Sequence, residues 1–346
     1  MKDLGRHMRG EADNPVGRHE QAPSPPTKSP ASRWSPFSSP LTKARRHRFF
    51  VPALPFLATA LVSAGTFEYD AGPCPDAALS VAKFRIRTPA GDGPLLGTLI
   101  LLGGRNSDAR TMADDPAWWA LATETRLALM AGFLKGAEHD HETYQLDESG
   151  ATARLLNRAI EALGDASKHP DIGKLPLAFW GTSAGGNVGV AYAWHFPERT
   201  ICVAAIVAPN GHGPPNAQKI KVPILAIIGK NDRPEWITYA MECYDAVRGG
   251  KVPWTLAFHE RRGHSGAGSQ DLARTFLRTT IAQRLDIAPD AQPSPPVPLD
   301  VRKGWLGDLQ TYAIAPYSEF DGNMRNATWL PDKATASAWQ EYLRAP

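Results

Sequence analysis

The hydrophobic and polar positions of the chain alternate in a regular way from Leu79 onward. Short apolar runs are separated there by longer segments whose apolar positions recur at helical spacing. This alternation is typical of βαβ units and predicts the α/β fold class, with a mostly parallel central sheet and helices on both faces. The predicted strands are Val81–Arg87, Gly97–Leu102, Leu127–Leu134, Leu177–Trp180, Ile201–Val207, Ile224–Ile228 and Thr255–Phe258. The predicted helices are Asp114–Arg126, Ser149–Ala166, Ala184–His195, Pro234–Val247 and Ser269–Leu285.

The N-terminal part of the chain has no such periodicity. Residues 1–48 are rich in Pro, Ser and Arg, which predicts a disordered basic leader. The basic cluster Lys43–Arg48 then precedes an apolar run over 49–65, and this layout is typical of a secretory signal peptide. The run is short for a membrane span and contains two prolines, so we expect no stable span. We expect a secreted or periplasmic protein, or a cytoplasmic one if the run is a chance apolar patch.

The remaining boundaries follow from composition. We expect the α/β domain over 66–285, a Pro-rich linker over 286–300 and a C-terminal extension over 301–346. The extension is too small to bury much core alone, so we expect it to pack on the domain. The leader is long for a signal peptide, which a translation start downstream of Met1, near Leu41, would explain.

The composition narrows the function classes. The chain has 346 residues, 42% of them hydrophobic and 21% charged, as is usual for a globular protein. Its net charge is only +3, and much of the positive charge lies in the first fifty residues, so we expect no nucleic-acid partner. The three cysteines are too few and too irregularly spaced for a disulfide framework or a zinc site. We expect no cofactor and no metal, and the sequence leaves the oligomeric state open.

The strongest motif is Gly181-x-Ser183-x-Gly185, which lies between a predicted strand and a predicted helix. A serine on a sharp strand-to-helix turn exposes its hydroxyl above the sheet, and the flanking glycines leave room for the turn. The backbone N–H of Ala184, at the start of the helix, is positioned to donate to an oxyanion. The motif therefore predicts a nucleophilic serine; the alternative is a glycine-rich turn with an idle serine.

In this context the chain resembles serine esterases of the α/β-hydrolase superfamily. Within that superfamily it is similar to dienelactone hydrolase-like, polyhydroxybutyrate depolymerase-like and feruloyl esterase-like proteins, over about 79–285. The resemblance implies a catalytic triad in the chain order serine, acid, histidine, and a second oxyanion donor after an earlier strand.

Two loops supply the candidates for base and acid. A histidine in a glycine-flanked loop before the final helix matches the family's base, which points to His264; His259 is the competitor, nearer the strand end. Asp232 follows the strand at 224–228 and is the candidate acid that orients the imidazole. Its alternative role is to cap the helix that follows.

The predicted strand Gly97–Leu102 leads into Gly103-Gly104-Arg105, where the family commonly has a histidine before the glycine. We expect the N–H of Arg105 or of Gly104 to complete the oxyanion hole with that of Ala184. The Arg105 guanidinium is also a candidate to bind an acidic substrate, although a solvated surface arginine is the simpler interpretation.

Other polar segments have plain structural interpretations. The run Glu138–His141 contains metal-ligand residue types, but adjacent ligands in a short loop rarely reach one ion, so we expect a polar rim. Asn210 and His212 either shape the substrate pocket or belong to a turn forced by Gly and Pro. Five tryptophans either line a cleft or pack in the core: Trp118, Trp119, Trp180, Trp194 and Trp236.

Taken together, these features predict a serine hydrolase that cleaves carboxylic esters through an acyl-enzyme intermediate, with a small-molecule or polymeric ester as substrate. Two alternatives stay open. One is a peptidase or amidase that uses the same triad, and the other is a binding protein that kept the fold without turnover.

Overall fold

A computed structural model describes residues 65–89, 93–140, 142–208 and 219–345 of the chain. The expected leader (1–48) and all but the last residue of the expected signal segment (49–65) lie outside the described residues, as do Asn210 and His212. No helix in the described ranges is long and apolar enough to cross a membrane.

The main sheet is mostly parallel, as the alternating pattern predicts. Its strands are β1 (Gly65–Asp70), β2 (Leu79–Thr88), β3 (Gly97–Leu102), β4 (Leu127–Gly136), β5 (Leu177–Thr182), β6 (Thr200–Ile206), β7 (Ile224–Gly229) and β8 (Trp254–His259). They lie in the order β1-β2-β4-β3-β5-β6-β7-β8. The pairs β1–β2 and β2–β4 are antiparallel, and the other pairs are parallel. Every residue of β3 and of β6 is buried, as expected for strands covered on both faces.

Helices cover both faces of this sheet. They are α1 (Pro116–Glu124), α2 (Thr143–Leu146), α3 (Ala151–Ser167), α4 (Ala184–His195), α5 (Pro234–Asp245), α6 (Gln270–Arg284) and α7 (Lys333–Arg344). One face carries an apolar core that includes residues of α3, α4 and α5. The core on the other face includes residues of α1, α6 and α7. The predicted helices are all present, with bounds that shift by a few residues at most, whereas α2 is a single turn that periodicity does not reveal.

The C-terminal segment covers the edge of the sheet at β8. It forms a small antiparallel sheet of β9 (Trp305–Asp308), β10 (Ile314–Pro316) and β11 (Ala327–Leu330), in the order β10-β9-β11, and then α7. The N–H of Leu256 donates to the Thr328 hydroxyl at 2.7 Å, and the Thr255 hydroxyl donates to the Trp329 carbonyl at 2.6 Å. The indole N–H of Trp339 donates to the Leu256 carbonyl at 2.7 Å. Polar groups of β8 that would otherwise offer an open edge to another chain are thereby satisfied.

Candidate active site

Ser183 occupies a strained turn between β5 and α4. Its backbone dihedrals, φ 49° and ψ −120°, are rare for a residue with a side chain. The turn requires glycine on both sides. A Cβ at Gly181 would lie 2.3 Å from the carbonyl carbon of Gly185, and a Cβ at Gly185 would lie 2.5 Å from the carbonyl oxygens of Leu102 and Gly103. The motif thus describes a real steric constraint, in which two glycines allow the serine to stand at the carboxyl end of the parallel strands.

Three side chains form one hydrogen-bonded chain at this turn. The Ser183 hydroxyl lies 2.8 Å from Nε2 of His264, and Nδ1 of the same imidazole lies 2.7 Å from Oδ2 of Asp232. Because a carboxylate only accepts, Nδ1 donates to Asp232, which leaves Nε2 free to accept the serine proton. The Asp232 side chain is 6% exposed and that of His264 is 33% exposed, so the carboxylate is shielded while the imidazole is partly open to solvent.

The Asp232 carboxylate does not cap α5, which was its alternative role. The N-cap position of α5 is Arg233, and no side chain forms a capping hydrogen bond there. Instead Oδ1 of Asp232 accepts the N–H of Arg233 at 2.8 Å, so each carboxylate oxygen has its own donor. Two donors therefore hold the carboxylate beside the imidazole.

His259, the competing histidine, belongs to the core. It is the last residue of β8 and is 1% exposed, and its ring meets that of Tyr342 edge-on with centroids 5.0 Å apart. Its Nδ1 accepts the N–H of Arg261 at 3.2 Å. Burial, together with the nearby charges of Arg262 and Arg261, lowers the pKa of His259 and favours a neutral ring. No contact in the described part of the chain brings His259 to Ser183, whereas Nε2 of His264 lies 2.8 Å from the Ser183 hydroxyl.

The loop after β3 lies directly against Ser183. The N–H of Gly185 donates to the Gly103 carbonyl at 3.1 Å, which ties this loop to the first turn of α4. A Cβ on Gly104 would lie 3.7 Å from the Cβ of Ser183. Within the described part of the chain, the N–H groups of Gly104 and Arg105 form no hydrogen bond, and the N–H of Ala184 opens the helix, where no intrahelical acceptor exists. None of the three N–H groups that we expect to bind an oxyanion therefore has an acceptor among the described residues.

Two side chains near the site, those of Trp236 and Arg105, make contacts that the sequence motifs did not predict. The ring of Trp236, one of the five tryptophans considered, lies 4.6 Å from that of His264 between centroids, and the guanidinium of Arg233 lies 4.4 Å above the indole. Its position two residues after a proline on α5 gave no sequence signal for this contact. Arg105 pairs with Glu142, so its charge is already compensated on the protein.

The remaining candidates lie apart from the triad or in the core. Asp140 accepts the N–H groups of Glu142 and Thr143 at the start of α2, while Glu138 and His139 are exposed, and His141 lies outside the described residues. Trp118 and Trp180 pack together in the core with centroids 5.2 Å apart. Among the residues that the structure describes, no cluster of His, Cys, Asp and Glu is arranged to hold a metal ion.

Comparisons with known proteins find similarity only among solved structures. The sequence matches no protein-family profile and no curated protein. Among solved structures, a ferulic acid esterase is 14% identical, with 64% of this chain and 98% of that chain covered and a TM-score of 0.45. The dienelactone hydrolase from Anabaena variabilis is 17% identical, with 64% and 94% covered and a TM-score of 0.40. A thermostable esterase from Pseudomonas putida is 13% identical, with 63% and 81% covered and a TM-score of 0.41.

Structures this distant in sequence and shape say nothing about the activity of this chain. The fold is therefore assigned from the order and pairing of the chain's own strands. Ser183 follows β5, Asp232 follows β7 and His264 follows β8. That placement, the chain order serine, acid, histidine, and the strand order of the sheet are those of one known architecture. The chain has the α/β-hydrolase fold.

Proposed function

We propose that this protein is a serine hydrolase that cleaves carboxylic esters through an acyl-enzyme intermediate. One observation carries the proposal: Ser183, in a strained turn at a helix start, shares an unbroken hydrogen-bonded chain with His264 and Asp232 at 2.8 and 2.7 Å. A structural serine has no need of a strained backbone, a basic partner and a shielded carboxylate together.

The chemistry follows from this geometry. The Ser183 oxygen attacks the ester carbonyl carbon while Nε2 of His264 takes the hydroxyl proton, and the carbonyl oxygen becomes an oxyanion. The Ala184 N–H and that of Gly104 or Arg105 stabilise this charge. When the carbon–oxygen bond to the alcohol breaks, His264 returns the proton to the leaving oxygen and an acyl-serine remains. Water then repeats the sequence with His264 as base, which releases the acid and restores the hydroxyl.

Asp232 contributes without changing its own charge. It holds the imidazole in the tautomer that presents a bare Nε2 to Ser183, and it stabilises the imidazolium that forms in each half-reaction. An ester suits this site because an alkoxide leaving group needs less protonation than an amine does. An amide substrate is therefore a second candidate that uses the same residues.

Turnover by the full chain and its Ser183→Ala variant tests the proposal. The substrates are p-nitrophenyl esters of increasing acyl length, methyl ferulate, and the p-nitroanilide matched to the best ester. We expect ester hydrolysis that is lost in Ser183→Ala and kept in the control Ser80→Ala. Ser80 lies on β2, away from Ser183 in the sheet, and its hydroxyl donates to the carbonyl of Gly136 on β4 at 2.9 Å. Faster cleavage of the anilide than of its ester would favour an amidase, and a folded but inactive wild type would favour a binding role.

We also propose that the protein is exported, on the strength of the basic cluster Lys43–Arg48 and the apolar run over 49–65. Mass spectrometry of the protein from its native cells tests this. Export predicts a mature chain that begins shortly after the apolar run and lies outside the cytoplasm, whereas an intact leader in the cytoplasm would contradict it.

A further inference from the structure

The loop that carries His264 gives its side chain little support. The loop contains three glycines (Gly263, Gly266 and Gly268) and is neither helix nor strand. Among the described residues, the main chain of His264 takes part in no backbone–backbone hydrogen bond. The imidazole is also partly open to solvent. Its position therefore depends on the groups that touch the ring itself.

Two groups hold the ring by its nitrogens, and one of them is lost during turnover. Nδ1 donates to Asp232 at 2.7 Å, and Nε2 lies 2.8 Å from the Ser183 hydroxyl. In the acyl-enzyme the Ser183 oxygen is bonded to the acyl carbon and has no proton to donate. The imidazole must nevertheless keep its place, because it takes the proton of the water that attacks the acyl-serine. Asp232 alone would leave the ring free to swing about a single hydrogen bond.

Trp236 on α5 supplies a further contact to the imidazole. The centroids of the two rings lie 4.6 Å apart, and their planes are tilted by 54°, which is a favourable arrangement for an aromatic pair. Trp236 is partly buried, so its indole is not free in solvent. The contact does not involve the hydrogen bond to Ser183, and it therefore persists in the acyl-enzyme. An indole at this distance occupies part of the space into which the imidazole would swing.

Arg233 supports both neighbours of the imidazole. Its guanidinium lies over the indole of Trp236, 4.4 Å from the ring centroid. Its backbone N–H donates to Oδ1 of Asp232 at 2.8 Å, and its carbonyl accepts the N–H of Trp236 at 3.0 Å. The carboxylate and the indole that touch His264 are thus joined through one residue.

From these contacts we infer that Trp236, backed by Arg233, is a positioning residue that keeps the His264 imidazole in place while the acyl-serine is hydrolysed. This role rests on the proposed hydrolase function. Loosening the ring should slow deacylation more than acylation, because only in acylation does the Ser183 hydroxyl also hold Nε2. A residue that merely stabilises the fold would not act on one of the two steps selectively.

The two steps are measured separately on the full chain with a p-nitrophenyl ester. Release of p-nitrophenol at excess enzyme reports acylation, and mass spectrometry of acid-quenched samples follows the acyl-enzyme as it decays. We expect Trp236→Leu to slow deacylation about 30-fold and acylation by at most about 3-fold, so that the acyl-enzyme accumulates. Trp236→Phe keeps an aromatic ring at this position and should restore most of the deacylation rate. Equal slowing of both steps in Trp236→Leu would overturn the positioning role.

Arg233→Met tests the support of the indole without removing the indole, and it also serves if Trp236→Leu does not fold. Arg233 is exposed, so the fold should tolerate this substitution. The backbone N–H that binds Asp232 remains, and only the guanidinium over the indole is lost. We expect deacylation about 3-fold slower and acylation unchanged. An unchanged deacylation rate would contradict the support by Arg233.

Trp119→Leu and Arg87→Met are the matched controls. Trp119 is also partly buried, and the guanidinium of Arg87 lies 4.1 Å from the centroid of its ring. Arg87 lies opposite Leu129 near the start of β4, whereas Ser183 follows the end of β5. Both controls should leave the two rates unchanged. Deacylation slowed as much in Trp119→Leu as in Trp236→Leu, or not slowed in Trp236→Leu, would overturn the positioning role.

NMR relaxation of the His264 ring, in protein made with isotope-labelled histidine, separates this role from the proposed function because it needs no substrate. The Ser183→Ala variant lacks the bond to Nε2, as the acyl-enzyme does. We expect greater ring motion when Trp236→Leu is added to Ser183→Ala, and no change when Trp119→Leu is added instead. If the wild type hydrolyses no ester, the proposed function fails. Unchanged relaxation on adding Trp236→Leu would refute the positioning role whether or not the protein is active.

Discussion

Replacing Gly185 by alanine should disable the active site through a backbone clash alone. The new Cβ would lie 2.5 Å from the carbonyl oxygens of Leu102 and Gly103, whereas ordinary van der Waals contact begins at 3.4 Å. Because both neighbours are backbone atoms, either the loop after β3 or the first turn of α4 must move by about 0.9 Å. The same shift stretches the hydrogen bond from the Gly185 N–H to the Gly103 carbonyl, now 3.1 Å.

A displacement of that size separates the oxyanion donors of the loop from those of the elbow. Misplacement by about 1 Å costs on the order of 100-fold in rate, so we expect kcat for p-nitrophenyl esters to fall about 100-fold in Gly185→Ala. The control is Gly189→Ala, one turn further along α4, where the new Cβ would meet side-chain atoms of Phe179 and Val203 at 3.1 Å and no part of the loop. Steady-state kinetics on both folded variants decide the matter: wild-type kcat in Gly185→Ala, or an equal loss in Gly189→Ala, would refute this reasoning.

Three further predictions concern the acid, a buried histidine and the covered sheet edge. Asp232→Asn would place an amide donor against Nδ1 of His264 and favour the tautomer with a proton on Nε2. Stopped-flow and steady-state assays should therefore show a kcat lower by on the order of 10⁴-fold, and a loss below 10-fold would contradict the assigned role. Because burial holds the pKa of His259 below its usual value, the unfolded state binds the proton more readily, and stability should decrease as the pH falls below about 6.5, by at most about 1.4 kcal/mol per pH unit. Urea denaturation at pH 7.5 and 5.5 should show a smaller decrease in His259→Gln, and equal decreases would count against this account. Thr328→Val keeps the shape of the side chain but leaves the N–H of Leu256 without its acceptor, so urea denaturation should show an unfolding free energy lower by about 1–3 kcal/mol. An unchanged unfolding free energy would mean that this hydrogen bond does not stabilise the covered edge of the sheet.

Much of the candidate site was predictable because its determinants are local in sequence. Gly181 and Gly185 flank Ser183 at fixed spacing, and the steric limits at both positions explain why that spacing indicates a sharp strand-to-helix turn. Asp232 and His264 each follow a strongly apolar strand, so their arrival at one end of the parallel strands follows from parallel pairing. Choosing between His259 and His264 needed burial as well, since both lie in the same short segment.

The parts that sequence reasoning missed depend on tertiary contacts. Strand β1 alternates between half-buried and exposed residues at the sheet edge, so it lacks the apolar run that revealed the inner strands. Strands β9, β10 and β11 have only three or four residues each, and they form by pairing with one another and through hydrogen bonds between β11 and β8. The hydrogen bond from the Asn187 side-chain amide to the side-chain oxygen of Gln145 joins α4 to the single turn of α2, 42 residues earlier in the chain, and neither residue type indicates such a contact.

Labelling with an active-site fluorophosphonate, followed by peptide mass mapping of the full chain, tests the central claim most directly. The reagent bonds covalently only to a serine whose hydroxyl is activated, so it reports the nucleophile without knowledge of the substrate. The account predicts one adduct, on the peptide that contains Ser183, absent in Ser183→Ala and formed far more slowly in His264→Gln. A correctly folded wild type that carries no adduct at Ser183, or that is labelled equally fast in His264→Gln, would contradict it.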